Sequence, residues 1–215
     1  TVTFFERFCL RHSAFIQIIS DAFRPALWSL GVPDPKIHLI NLWVDTQLIQ
    51  PLPRRNSFSN EHNLADKFVV LYAGNIGLSQ GLETVLEAAM LLSNEQDVQF
   101  VFVGDGTGCE PLRIQAEQSH LPNVQFIPFQ PRERLSEVLA SANVSLVILR
   151  RGIGTNSLPS KTLSILASGR PIIASVDEKS ETWKLVKQAD AGLCVPPVDP
   201  QKIAGAILTL KQNEK

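Results

Sequence analysis

Six short, nearly uninterrupted apolar runs, each followed by a stretch of helical pattern, constrain what this chain can become. The runs lie at 68–73, 98–103, 124–128, 144–149, 171–175 and 192–195. Strands of a parallel sheet read this way, because crossover helices cover both faces and leave no polar side. The helical stretches at 81–92, 110–119, 131–140, 159–167, 178–189 and 200–210 fall where those crossovers belong. The alternation predicts an α/β fold, a doubly wound, Rossmann-like parallel sheet with right-handed connections. Ligands of such sheets sit outside the carboxyl ends of the strands.

The first part of the chain differs. Residues 4–11 and 22–30 read as helical, and 15–20 and 36–41 as strands. The stretch 51–66 is polar and proline-bearing, with Arg54, Arg55, Asn56, Ser57 and Asn60, and reads as a loop. The expected division is an appendage from a preceding domain at 1–50, a linker at 51–65 and the main domain at 66–215. The opening Thr1-Val2-Thr3 reads as the middle of a helix, so the expectation is a piece of a longer protein. Any signal or membrane tether would then lie in the missing part.

Hydrophobic residues make up 44% and charged residues 19%, enough for a substantial core. The net charge of −1 argues against a general nucleic-acid binder, which would be basic. Cys9, Cys109 and Cys194 are scattered, without a CxxC pair or zinc-type spacing, and fit a reducing compartment. His12, His38, His62 and His120 stand alone and read as surface or structural residues. No apolar run is long enough to span a bilayer.

Three turns carry the candidate chemistry. Gly74-Asn75-Ile76-Gly77 follows the first strand of the main domain, with Gly81 opening the next helix, and Gly104-Asp105-Gly106-Thr107-Gly108 follows the second. Glycine there lets backbone amides approach a phosphate or a sugar. Neither turn is a P-loop, and Cys109 stands where a dinucleotide fingerprint would need its third glycine. The third turn is Ser157-Leu158-Pro159-Ser160-Lys161, running into a helix and then the buried strand after Gly169-Arg170-Pro171. Pro159 suits a first helical turn, and Ser160, free amides and Lys161 together suit a diphosphate. Taken singly, each turn reads equally as an ordinary tight connection, and Lys161 as a solvated lysine after a cap. Converging on one crevice, the three make a default ligand site.

With these segments placed, the chain resembles the donor half of a GT-B glycosyltransferase of the family 4 type. Within that family it is similar to the bacterial enzymes that build exopolysaccharide and O-antigen, of the WcaI and WbuB kind. The resemblance covers nearly the whole chain. Asn41-Leu42-Trp43-Val44-Asp45 looks like the passage between the family's two domains. Leu71 to Gly77, Gln80-Gly81-Leu82-Glu83, Phe102-Val103-Gly104-Asp105-Gly106 and Ser157 to Lys161 match motifs of its nucleotide-sugar domain. Ala167 to Ala174 and Gly192 to Val195 match two more.

The resemblance implies transfer of a hexosyl or N-acetylhexosaminyl group from a nucleotide-sugar donor, expected to be UDP-linked, with retention. The acceptor would be a saccharide or a lipid-linked one. It implies no metal or other cofactor, a cytoplasmic location, and peripheral contact with the membrane face through the missing N-terminal part. Lys161 is the candidate catalytic residue. Gly74, Asn75, Gly77, Gln80, Gly104, Asp105, Gly106, Pro159, Ser160, Thr162 and Ser164 are the candidate donor-binding residues, with Gln130 at the nucleobase.

Two departures stand out. The family's diphosphate-gripping arginine and lysine fall at Asn75 and Gln80, and its two spaced glutamates fall at Asn156 and Ser164. Lys161 therefore carries more of the expected charge, and the donor sugar stays open. The competing readings are a sugar-nucleotide epimerase of the same architecture, a non-catalytic nucleotide-sugar-binding module and a nicotinamide dehydrogenase. The epimerase would need cleft carboxylates and a histidine that the motifs do not supply, and the dehydrogenase a dinucleotide fingerprint.

Overall fold

A computed structural model describes residues 2–78, 80–153 and 158–213. It divides into two compact units, Thr1–Trp43 and Val44–Lys215.

The smaller unit holds helix α1 (Val2–His12), strand β1 (Ile16–Ile18), helix α2 (Arg24–Ser29) and strand β2 (Ile37–Leu39). The strands pair in parallel, Ile16 opposite Ile37. Ile18, Val32 and Ile37 form a small core with Leu10, Ile16, Phe23 and Leu27 packed against it. Ser20 starts the turn into α2 by accepting a hydrogen bond from the Ala22 amide at 3.1 Å.

The larger unit is the expected α/β sheet. Its strands are β3 (Phe68–Ala73), β4 (Val98–Val103), β5 (Val124–Ile127), β6 (Val144–Ile148), β7 (Ile172–Ser175) and β8 (Gly192–Val195). All pair in parallel, in the order β5-β4-β3-β6-β7-β8. The helices are α3 (Ser57–Glu61), α4 (Glu83–Leu91), α5 (Cys109–Gln118), α6 (Leu135–Ala140), α7 (Lys161–Ala167), α8 (Glu181–Gln188) and α9 (Pro200–Gln212). Alternation along β3 splits the core in two. Phe68, Val70 and Tyr72 join one layer with Val85, Leu86, Leu112, Ile203 and Ile207, while Val69 and Leu71 join Phe58, Val138, Ile165 and Val186 in the other. Chain order reverses between β3 and β6, so the crevice at their carboxyl ends is the topological switch point. No helix of the described residues is long and apolar enough to cross a membrane.

The stretch expected to be a linker belongs to the larger unit. Asn56 caps α3 with its side chain accepting from the Ser59 amide at 3.0 Å, and the Ser59 hydroxyl accepts from the Asn56 amide in return. Phe58 is 0% and Leu64 1% exposed. Arg54 donates to the carbonyls of Leu64, Ala65 and Lys67, and Arg170 donates to that of Leu52. Residues 51–65 thus pack with the compact unit that begins at Val44. Two isolated apolar side chains among polar neighbours have no periodicity, yet they fill a gap beside α6.

Beyond the end of β3, the chain keeps pairing with that beyond β4. The Gly74 amide donates to the Val103 carbonyl, the Ile76 amide to Asp105 and the Gly108 amide to Ile76, at 2.8–2.9 Å. Gly104 has φ +146°, and a β-carbon there would stand 2.0 Å from the Gly74 carbonyl oxygen. Gly104→Ala should therefore cost more than about 2 kcal/mol of unfolding free energy. Gly205→Ala, in α9 with nothing within 4 Å of the added carbon, should instead gain about 0.5–1 kcal/mol. Urea denaturation of the two variants checks both signs.

Candidate functional site

A cleft of about 380 Å³ opens at the carboxyl ends of the strands. Ala73, Gly74 and Asn75 come from β3 and its turn, Val103 from β4, and Phe129 and Gln130 from the segment after β5. Leu135, Val138 and Leu139 of α6 form an apolar wall, and Ser160, Lys161 and Ser164 come from the start of α7. The chemistry concentrates at Lys161. Its Nζ lies 3.6 Å above the centroid of the Tyr72 ring, and a β-carbon at Gly74 would be 3.0 Å from it. The side chain as a whole is half-buried, but Nζ is wholly covered and has no hydrogen-bond partner among the described residues. Burial alone pulls its pKa from the usual 10.5 down to about 7. The amine is thus a mixture of charged and neutral forms near neutrality, where a solvated lysine would be fully charged.

The model of the family "Glycosyl transferases group 1" matches residues 54–215, three quarters of the chain. The chain belongs to that family. WcaI of Escherichia coli strain K12, assigned to colanic acid biosynthesis as a glycosyl transferase, is 31% identical over 209 residues, 95% of this chain and 51% of that protein. WbjE of Pseudomonas aeruginosa, assigned as a glycosyltransferase, is 29% identical over 184 residues, 85% of this chain and 46% of that one. The chain thus spans about half the length of the curated relatives it matches. Among solved structures, HepE of Anabaena in complex with UDP and glucose superposes with a TM-score of 0.82 at 17% identity, covering 96% of this chain and 55% of that one. Sucrose-phosphate synthase of Thermosynechococcus elongatus gives 0.79 at 23% identity, covering 98% and 52%. These neighbours share the GT-B fold.

Of the residues singled out from the sequence of this group 1 member, Gly74, Asn75, Gln130, Ser160, Lys161 and Ser164 come together around the cleft. Gln130 is held there, its Nε2 donating to the Pro128 carbonyl and its Oε1 accepting from Arg134. The other candidates stand beside or behind it. Gln80 closes its own turn, accepting from the Gly77 amide at 3.0 Å. Gly104, Asp105 and Gly106 back the first turn; their glycines answer to the close approach of two backbones. Asp105 is exposed and accepts from the Gly106 amide. Pro159 precedes α7 by two residues rather than opening it, and its carbonyl accepts from the Thr162 amide. Thr162 is 0% exposed and faces the interior. Asn156 and Ser157 lie outside the described residues.

Tyr72, Phe129 and Arg150 are the residues that sequence reasoning missed. Tyr72 is the chain's one tyrosine, hidden inside an apolar run; its place just before a glycine turn was the available signal. Phe129 is 72% exposed at the cleft. Arg150, just past β6, donates to the Leu78 carbonyl at 2.7 Å and to Glu83, and so braces the turn that ends at Gly81. Among the described residues no group of three or more His, Cys, Asp and Glu could hold a metal ion.

The buried amine also costs stability, with a definite sign. Its folded pKa is depressed, so between about pH 7 and 10.5 the unfolded chain binds more protons and stability rises with pH. Below pH 7 the full cost of a buried charge remains. Lys161→Met should thus raise the unfolding free energy at pH 6, by about 1–3 kcal/mol, and by less at pH 9.5. Urea titrations at the two pH values check this.

Proposed function

We propose that the chain is the donor-binding half of a glycosyltransferase that moves a sugar from a nucleotide-sugar donor to a saccharide or lipid-linked acceptor, with retention. The single observation that carries the reading is the Lys161 amine, covered, unpaired and aimed at Gly74 in the crevice at the switch point. A buried cation without a partner is costly, and an anionic ligand beside Gly74 would satisfy it. HepE, whose fold this chain shares, has been solved with UDP-glucose, which favours a UDP-linked donor here.

On this reading the diphosphate lies between Lys161 and the Gly74–Asn75 turn, with the Ser160 hydroxyl beside it. The bond between the anomeric carbon and the diphosphate oxygen breaks and UDP leaves with the electron pair, while the acceptor hydroxyl oxygen bonds to that carbon on the same face and its proton passes to the departing diphosphate. Lys161 in its charged form stands where that negative charge grows, in place of a metal. The exposed face of Phe129 suits stacking on a base, and Gln130 offers hydrogen bonds to its edge. Ser164 would face the sugar. The chain spans about half of its relatives, and each half of such an enzyme completes the site on closure. The cytoplasm, at or beside the membrane face, is the setting this reading gives.

By itself the chain should bind UDP-sugars weakly and transfer none of them. Calorimetric titration with UDP-glucose and UDP-N-acetylglucosamine, beside NAD and a transfer assay, tests this. Binding of UDP-sugars without NAD is expected, and no UDP-sugar binding at millimolar ligand overturns the reading. In the whole enzyme, Lys161→Ala should lower turnover by about tenfold or more, the equivalent of one charge-assisted hydrogen bond.

A further inference from the structure

We propose that Tyr72 is a positioning residue of this cleft, its ring seating the Lys161 amine and its hydroxyl fixing the turn that carries Gly74 and Asn75. The inference rests on the reading that the cleft takes a nucleoside diphosphate, and names what aligns the two sides of that site. Lys161 comes from α7 and the turn from β3, so nothing in the chain's local order sets their spacing. Tyr72 touches both. Its ring face lies 3.6 Å below Nζ, and its hydroxyl donates to the Asn75 carbonyl at 2.7 Å.

The ring is itself buried and packed. Tyr72 is 1% exposed and pairs in register with Phe102 of β4, which pairs with Phe126 of β5. Tyr72 and Phe102 have ring centroids 6.2 Å apart, and Phe102 stacks on Phe126 at 5.0 Å. Three aromatic side chains thus run across three strands and end under the amine.

An aromatic face is a particular kind of seat for a lysine. It attracts the cation through its quadrupole but neutralises no charge and takes up no N–H in a strong hydrogen bond. A carboxylate in the same place would pair with the amine and repel a diphosphate. Among the described residues, the Tyr72 ring, from β3, and Gly74 face Nζ. No charged side chain contributes to the lowered pKa of Lys161, and burial raises that of the Tyr72 phenol. Arg134 is engaged by Glu61 and Gln130, and Arg150 by Glu83. Above about pH 7, where the free amine is mostly neutral, an anion recruits its charged form, so there the diphosphate binds together with a proton. Affinity should be full below about pH 7 and fall as pH rises toward the higher pKa of the complex.

The experiment is calorimetric titration of UDP-glucose into the wild-type chain, Tyr72→Phe and Tyr72→Leu at pH 6 and pH 8. Both phosphates of this probe are esterified, so its charge is constant over that range. Wild-type affinity should fall about tenfold from pH 6 to pH 8, with net proton uptake seen in buffers of different ionisation enthalpy. Tyr72→Phe keeps the ring and should weaken binding about three- to tenfold, the size of one lost hydrogen bond, with the pH dependence retained. Tyr72→Leu loses the ring and should weaken binding further, moving the fall to lower pH. A purely structural tyrosine would lower the melting temperature of both variants and leave affinity and pH profile as in the wild type; that result overturns the inference. Should Tyr72→Leu fail to fold, the isosteric Tyr72→Phe carries the test alone, and unchanged affinity in it is equally fatal. A wild-type chain that does not bind the probe instead overturns the reading of the cleft itself.

Discussion

The Gly74 carbonyl occupies the place where any side chain on Gly104 would have to be. Much of the cleft depends on that contact. It lets the backbone after β3 continue to pair with the backbone after β4, so the first turn has a rigid back wall. Against that wall, Tyr72 ties down the Asn75 carbonyl, and Gln80 ties down the Gly77 amide. Contacts within the protein thus hold Gly74 beside Lys161. Preorganisation of this kind spares a site the cost of ordering itself on binding.

The layered sheet was legible because its strands are apolar on both faces, a pattern few other structures produce. The runs 68–73 and 98–103 match β3 and β4 to the residue. Helix starts were less legible. Residues 131–134 form a short, tight turn ahead of α6, and Pro159 stands two residues before α7, because a proline near a helix start does not fix its distance from it. The stretch 51–66 was misread because Phe58 and Leu64 bury themselves individually, with no repeat to announce them. The capping box at Asn56 and Ser59 was a usable sign of helix.

At the cleft, Gly74 and Lys161 could be found from the sequence because a glycine turn and a lysine at a helix start are chemically unusual together. Gly104 and Gly106 were harder to interpret, for a physical reason. A glycine that admits a ligand and a glycine that admits another backbone look identical in sequence, and here the backbone is the neighbour. Tyr72 was illegible for the opposite reason: its ring belongs to the core pattern, and only three dimensions show that the pattern ends under an amine. The charge state of Lys161 was likewise beyond the sequence, since it follows from burial among residues far apart in the chain.

The anchoring of residues 44–66 bears on how such enzymes recombine. Ile49, Phe58 and Leu64 are core residues of the sheet-bearing unit, although they precede its first strand. A chimera joined just before β3 would inherit the sheet with those three sockets empty, or filled by side chains selected against another surface. One joined at Trp43–Val44 would carry its plugs with it. Exchange of halves between homologous enzymes, in the laboratory or over evolutionary time, should therefore succeed at the earlier seam, where the inherited parcel is already complete.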